Sequence, residues 1–333
     1  MKSVTIPYRQ ENHGSFDEEW PMQRGISGWW YITGYFSEVG KPERIYSYQF
    51  TVIRARLYGI APFILQLAVT DIQNGRHYFR QQVKLWDPDI YVTRDTVNYK
   101  SLARLERQEK RMLLRAKTDL FDFELELDKG KGAFWHGTDG VLVMGTPQKA
   151  VERTVYYSYP NMPTTGKLTL HTPEGETRTL LVTGKSWFDR QWGPYHLIEA
   201  QTHWEWFSLR FFDDEEVMLF AFPQCPYYDG TYISRDRQRR NVRDYSYTVK
   251  KYVDVNGMKF STGWDLVMPG VKEEKYEIRP VIDGQLNLAY FELLAEIINP
   301  RGERVGYCVV ELLPGARNQE YSKSLGVNLL KKV

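Results

Sequence analysis

The chain has 333 residues, more than one domain usually holds, so two domains are expected. A hydrophobic content of 42% supports packed cores and excludes global disorder. Basic and acidic side chains nearly cancel, 44 against 42, so net charge gives no reason to expect nucleic acid or an anionic membrane as partner.

The opening residues, MKSVTIPYRQENHGSFDEEW, carry no apolar run of signal-peptide length, and no stretch of the chain is apolar enough for a membrane-spanning helix. A cytoplasmic location without an integral membrane segment is the expectation. Period-two alternation begins at Tyr46–Arg56 (YSYQFTVIRAR) and reads as a half-buried strand. An Asn74-Gly75 turn follows. Residues 100–117 (KSLARLERQEKRMLLRAK) carry two patterns. Their charges allow i,i+4 pairs with a Leu102, Leu105, Met112, Leu113 stripe, which is helical, yet they run into a strand-like segment. Alternation returns at Phe121–Leu127, Lys167–His171 and Thr177–Thr183, with Asp139-Gly140 and Pro173-Glu174-Gly175 between them. His136 lies in a Gly-rich turn, where a structural hydrogen bond is its default role.

Gly193-Pro194 breaks the chain, and a new strand run starts at Trp204 and continues through Phe207–Phe212. Domains of 1–195 and 196–333 are therefore expected. Arg235–Arg243 (RDRQRRNVR) is the one basic cluster, and its interspersed acids suit a solvated loop or hairpin. Turn signals recur at Asn256-Gly257, Asp283-Gly284 and Pro300-Arg301-Gly302. Cys225 and Cys308 fit no metal-ligand spacing, and either two buried thiols or one disulfide is compatible with them. Many short strands separated by hairpin turns make the chain all-β, built of antiparallel sheets or barrels with few short helices.

Aromatic residues reach 15%, and they serve either large β cores or the lining of a ligand cavity. The segment Trp187-Phe188-Asp189-Arg190-Gln191-Trp192 brings an acid among them. On a strand, residues 187, 189 and 191 share one face, so Asp189 projects beside Trp187. A carboxyl group against indole, away from water, keeps its proton more readily and can act as a general acid. The alternatives are an ion pair with Arg190, a buried anchor, or an outward turn at Gly193-Pro194. Further acids in apolar strands are Glu205, which alternates with Trp204 and Trp206 and shares a face with His203, and Glu292 and Glu311, with Tyr290 beside Glu292. No phosphate loop, nucleophile elbow or HExxH sequence is present, and neither a cofactor nor a metal is expected.

Several segments together resemble the AttH/hydroxyneurosporene synthase (carotenoid 1,2-hydratase) family of lipocalin-like proteins. Gly28-Trp29-Trp30-Tyr31-Ile32-Thr33-Gly34 is similar to that family's opening Glu-Trp-Trp-Tyr-x-x-Gly strand, with Gly28 in place of Glu. Phe134-Trp135-His136-Gly137-Thr138-Asp139-Gly140, Tyr156-Tyr157-Ser158 and Gly166-Lys167-Leu168 follow in the family's order. The most specific match is Gly184-Lys185-Ser186-Trp187-Phe188-Asp189-Arg190-Gln191-Trp192-Gly193 to Gly-x-x-Trp-x-Asp-x-x-Trp-Gly, with Trp204-Glu205-Trp206-Phe207-Ser208-Leu209 after it. The resemblance implies two consecutive lipocalin-like antiparallel barrels or bent sheets. It also implies a cofactor-independent hydratase, isomerase or Diels–Alder-type cyclase acting on a terpenoid, polyene or polyketide, or else a non-catalytic carrier of a lipophile. Asp189, Glu205 and Glu292 are then the candidate catalytic groups. Trp29, Trp30, Tyr31, Trp187, Trp192, Trp204, Trp206 and Tyr290 are the candidate lining of a cavity for a hydrophobic small molecule.

Overall fold

The computed structural model describes residues 2–11, 13–56, 59–145, 152–171, 175–194, 204–222, 227–255, 258–283, 285–287 and 290–313. The chain divides into two compact units, Met1–Phe134 with Thr154–His196, and Trp135–Arg153 with Leu197–Lys332. Each is a curled antiparallel sheet of lipocalin-like form, and no α-helix occurs among the described residues.

In the first unit the strands lie in the order Arg76–Lys84, Phe63–Asp71, Lys41–Arg54, Ser27–Glu38, Thr177–Gly193, Arg153–His171, Phe121–Asp128, Arg111–Lys117, Ala103–Arg107, Thr96–Tyr99, Ile90–Val92. Alternation builds the outer strands. In Arg111–Lys117 the residues Met112, Leu114 and Ala116 are buried opposite Leu127, Leu125 and Phe123, while Arg111, Arg115 and Lys117 face water. This settles residues 100–117 as strand rather than helix. Pairs of charges four apart are worth a few tenths of a kcal/mol, whereas each buried apolar side chain is worth roughly 1.5–3 kcal/mol. Met112 and Leu113 also fall on opposite faces, so the helical stripe never forms.

The central strands behave differently. Thr177–Thr183 alternates between exposed or half-buried and buried residues, but Ser186–Gly193 is buried at every position. One face of these central strands carries Trp30, Ile32, Phe50, Val52, Leu65, Leu67 and Phe188, an apolar core. The other face is buried as well and is largely polar. Gly184 lies where this strand crosses Ser27–Glu38 most closely. A Cβ there would meet the Tyr35 carbonyl oxygen at 2.0 Å and the Phe36 Cα at 2.5 Å, so the motif's first glycine is a packing requirement.

The second unit orders its strands Arg239–Asn241, Tyr227–Ile233, Glu216–Phe222, Trp204–Phe211, Arg304–Leu313, Tyr290–Ile298, Lys275–Pro280, Trp264–Val267, Ser246–Val249. Phe207, Leu209, Leu219, Trp264, Phe291, Leu293 and Val310 form its core. Trp204–Phe211 and Glu216–Phe222 are buried on both faces. Cys308 is a buried free thiol on Arg304–Leu313, and Cys225 lies outside the described residues.

The basic cluster lies on an exposed hairpin, one of the two forms expected of it, with Arg239–Asn241 paired to Tyr227–Ile233. Arg239 donates to the carbonyls of Trp135 and Gly137, both at 2.6 Å, and Arg243 donates to Thr138 Oγ1 at 2.8 Å. Two of its arginines therefore clamp the His136 turn onto this unit's sheet. His136 is fully buried, bonded through Nδ1 to Thr231 Oγ1 at 2.9 Å, and burial drives its pKa well below the ordinary histidine value.

Candidate functional site

The polar face of the first unit is laid out by strand register. Ser158, Asp189, Tyr31, Thr51 and Gln66 stand side by side across five strands, and antiparallel partners share a face. Flanking rows hold Tyr156, Gln191 and Trp29 on one side, and Trp187, Thr33 and Gln49 on the other. Asp189 is almost completely buried. Its Oδ1 accepts from the Trp187 indole N–H at 2.6 Å and from the Ser158 hydroxyl. Gln191 donates to Thr154 Oγ1 at 2.7 Å, and Gln49 donates to Thr51 Oγ1 at 2.7 Å. The alternation expected of Trp187–Trp192 thus survives as far as Gly193, and Asp189 does project beside Trp187.

Arg190 points to the opposite face. Its guanidinium lies over the rings of Trp30 at 4.2 Å and Trp192 at 4.8 Å. It donates to the carbonyls of Trp20, Pro21, Trp29 and Gln191 and to Gln23 Oε1. Burial pulls its pKa down to about 9, against smaller opposing effects of Tyr157 and Glu19. The eight aromatic candidates therefore separate. Trp29, Tyr31 and Trp187 share the Asp189 face, whereas Trp30 and Trp192 hold Arg190.

Gly28 is explained by the same arrangement. It is the register partner of Trp192, and a Cβ at Gly28 would sit 2.8 Å from the Trp192 Cβ and 2.9 Å from Arg190 Nη1. A glutamate in this position has no room while Arg190 keeps its place.

In the second unit, Trp204, Trp206 and Glu292 lie on the face opposite the core, with Glu311 among them. The row runs Glu292, Glu311, Trp206, Phe220, Asp229. The Trp204 indole donates to Glu311 Oε1 at 2.8 Å, and Asn287 donates to Glu292 Oε2 at 3.2 Å. Burial raises the Glu311 pKa from 4.5 to about 7. Asp229 is buried at the far end of the row, and desolvation raises its pKa even though Arg243 stands 3.4 Å away. Tyr290 is half-buried and in register with Asn287.

Glu205 faces the other way, into the core of the second unit. Its carboxylate accepts from Ser261 Oγ at 2.7 Å and from Trp264 Nε1 at 3.0 Å, and burial raises its pKa. His203, expected to share its face, lies outside the described residues. Sequence reading passed over Ser158 as a partner of Asp189, although a serine amid apolar strand residues was the available signal. Asp229 carried no signal, because its partners arrive from Tyr227 and Arg243.

A family model described as AttH-like matches residues 17–314. The chain belongs to the AttH-like family. Among solved structures it is similar to an AttH protein of Nitrosomonas europaea, with a TM-score of 0.79 and 18% identity over 92% of this chain and 98% of that one. Kievitone hydratase from Nectria haematococca follows, with a TM-score of 0.69 and 16% identity over 94% and 96%. CghA is similar at a TM-score of 0.55 and 11% identity over 95% and 94%. Likeness at these identities establishes the common fold. No curated protein matches the chain. Among the described residues no helix is long and apolar enough to cross a membrane.

Proposed function

We propose that this AttH-like protein is a cofactor-independent enzyme of a hydrophobic natural product, a terpenoid, polyene or polyketide. Asp189 is its polar anchor and acid in hydration, isomerisation or pericyclic cyclisation. The observation that carries this reading is the Asp189 environment. The carboxyl group is buried beside an indole, held by the neutral Ser158 and Trp187 donors, on a face that also carries Tyr31 and Trp29. Asp189 protonates an alkene carbon, and the C=C pair forms the new C–H bond. The resulting cation lies against indole and phenol faces, which stabilise it through the ring quadrupole. Water adds to the cation, and its proton returns to the carboxylate. For a cyclisation the same group hydrogen-bonds a carbonyl and polarises the diene partner.

Taken by itself, the second unit carries the acids Glu311 and Glu292 on one face with Trp204, Trp206 and Tyr290. Of these, Glu311 has the pKa suited to proton exchange near neutrality. Glu205 is kept as a candidate of lower rank, because its bonds run into the core of its own unit. The name of the hydratase among the similar folds agrees with this chemistry.

The test is native mass spectrometry of the purified full chain to identify a co-purified lipophile, followed by turnover of that compound by Asp189→Asn. A loss of at least about 100-fold with an unchanged melting temperature is expected. Unchanged turnover removes Asp189 from the mechanism. A retained ligand that is never converted makes the protein a carrier.

A further inference from the structure

At the end away from its turn, the hairpin of Phe63–Asp71 and Arg76–Lys84 opens onto a small apolar group in the first unit. Phe63 is in register with Lys84 on one side and Arg54 on the other, so the residues just beyond this rung leave from the same end of the sheet. On those residues Trp86 is 80% exposed, Leu85 45% and Ile60 38%. Trp86 has no hydrogen bond, ring contact or cation contact among the described residues. Isolated exposed apolar side chains are ordinary, but three at one loop end, one of them a nearly bare tryptophan, are not.

The surroundings are cationic. Arg54 lies over the Phe63 ring at 4.5 Å, Arg56 is exposed with Nη1 on the Gly25 carbonyl, and Lys84 ends its strand beside Leu85. Of the two acids on residues 85–90, Asp87 is paired with Lys100 at 2.9 Å and Asp89 is exposed. The near-zero net charge of the whole chain conceals this local excess.

We propose that Ile60, Leu85 and Trp86 form a peripheral anchor that docks this protein onto an anionic lipid surface. The area of the patch selects this occupant. A tryptophan presents roughly 150–250 Å², and with two aliphatic neighbours the total stays well below the roughly 800 Å² per partner of a stable protein interface. A bilayer interface has no such minimum. Indole is favoured at headgroup depth, and arginine and lysine beside it meet lipid phosphates.

The experiment is co-sedimentation of the full chain with vesicles of phosphatidylcholine containing phosphatidylglycerol, and with phosphatidylcholine alone. Binding to the mixed vesicles is expected, together with a blue shift of tryptophan emission and release at high salt. Trp86→Ser, at an exposed position, is expected to fold normally and to lower partitioning about tenfold or more. Failure to bind the mixed vesicles overturns the proposal, as does equal binding to both lipids. Undiminished binding of Trp86→Ser overturns it too. So does concentration-dependent self-association that Trp86→Ser abolishes, because the patch would then serve a second copy of the chain.

Discussion

Replacing Glu311 by glutamine should change how stability depends on pH. Burial raises this carboxyl from 4.5 to about 7, so the folded chain holds the proton more tightly than the unfolded one. Between those two values the unfolded chain has lost the proton and the folded chain has not, so stability falls as pH rises. Above about pH 7 the loss is complete. At about 1.4 kcal/mol per unit, the shift corresponds to about 3 kcal/mol at most. Glutamine keeps the shape and still accepts from the Trp204 indole, but it has no proton to lose. Glu311→Gln should therefore match the parent near pH 4.5 and exceed it at pH 8 by up to about 3 kcal/mol, which is roughly 6–12 °C for a unit of this size. Thermal melts across that range measure it. Parallel pH profiles for the two proteins would refute the argument, because the carboxyl would then titrate alike in both states.

Arg190→Met should destabilise the first unit by at least about 3 kcal/mol, since charge-assisted bonds to Trp20, Pro21 and Gln23 vanish together. Limited proteolysis should then cut the segment around Pro21, and an uncleaved variant would argue against the role given to Arg190. Gly28→Ala forces Trp192 and Arg190 apart and should cost about 1–3 kcal/mol by denaturant titration, whereas an unchanged midpoint would mean that the neighbours yield freely. Arg239→Ala should speed amide exchange across the 135–140 turn, because both of its carbonyl clamps are lost, and hydrogen-exchange mass spectrometry reads this directly.

The all-β architecture was legible because the outer strands alternate, as in Phe121–Leu127, where Phe121, Phe123, Leu125 and Leu127 are buried and Glu124 and Glu126 are exposed. The central strands were harder to read. Ser186–Gly193 is buried on both faces, so its pattern of polar and apolar residues does not mark water against core. Within it the sequence does fix that Asp189 and Arg190 part company, because adjacent strand residues face opposite ways. It does not say which of the two faces is apolar. That depends on the rows supplied by Ser27–Glu38 and Lys41–Arg54, where Phe50 and Val52 line one side and Thr51 the other. The ambiguous 100–117 segment shows a related limit, since its charge spacing allowed a helix and only pairing with the neighbouring strands Ala103–Arg107 and Phe121–Asp128 overrules it. Alternation already set Glu205 on the face opposite Trp204 and Trp206, but it could not name its partners. Register confirms the separation, and Glu205 turns toward Ser261 and Trp264, more than fifty residues later.

The buried Arg190 links one end of the first unit to the other in time as well as in space. Its acceptors Trp20, Pro21 and Gln23 leave the ribosome early, while Arg190 follows about 170 residues later. Ser27–Glu38 likewise waits for Thr177–Gly193 before its second edge is paired. The nascent first unit therefore carries an open strand edge and unbonded carbonyls through much of synthesis. Such long-range closure slows folding and leaves aggregation-prone surface exposed. Production of the protein should respond strongly to translation rate and to chaperones that shield open sheet edges.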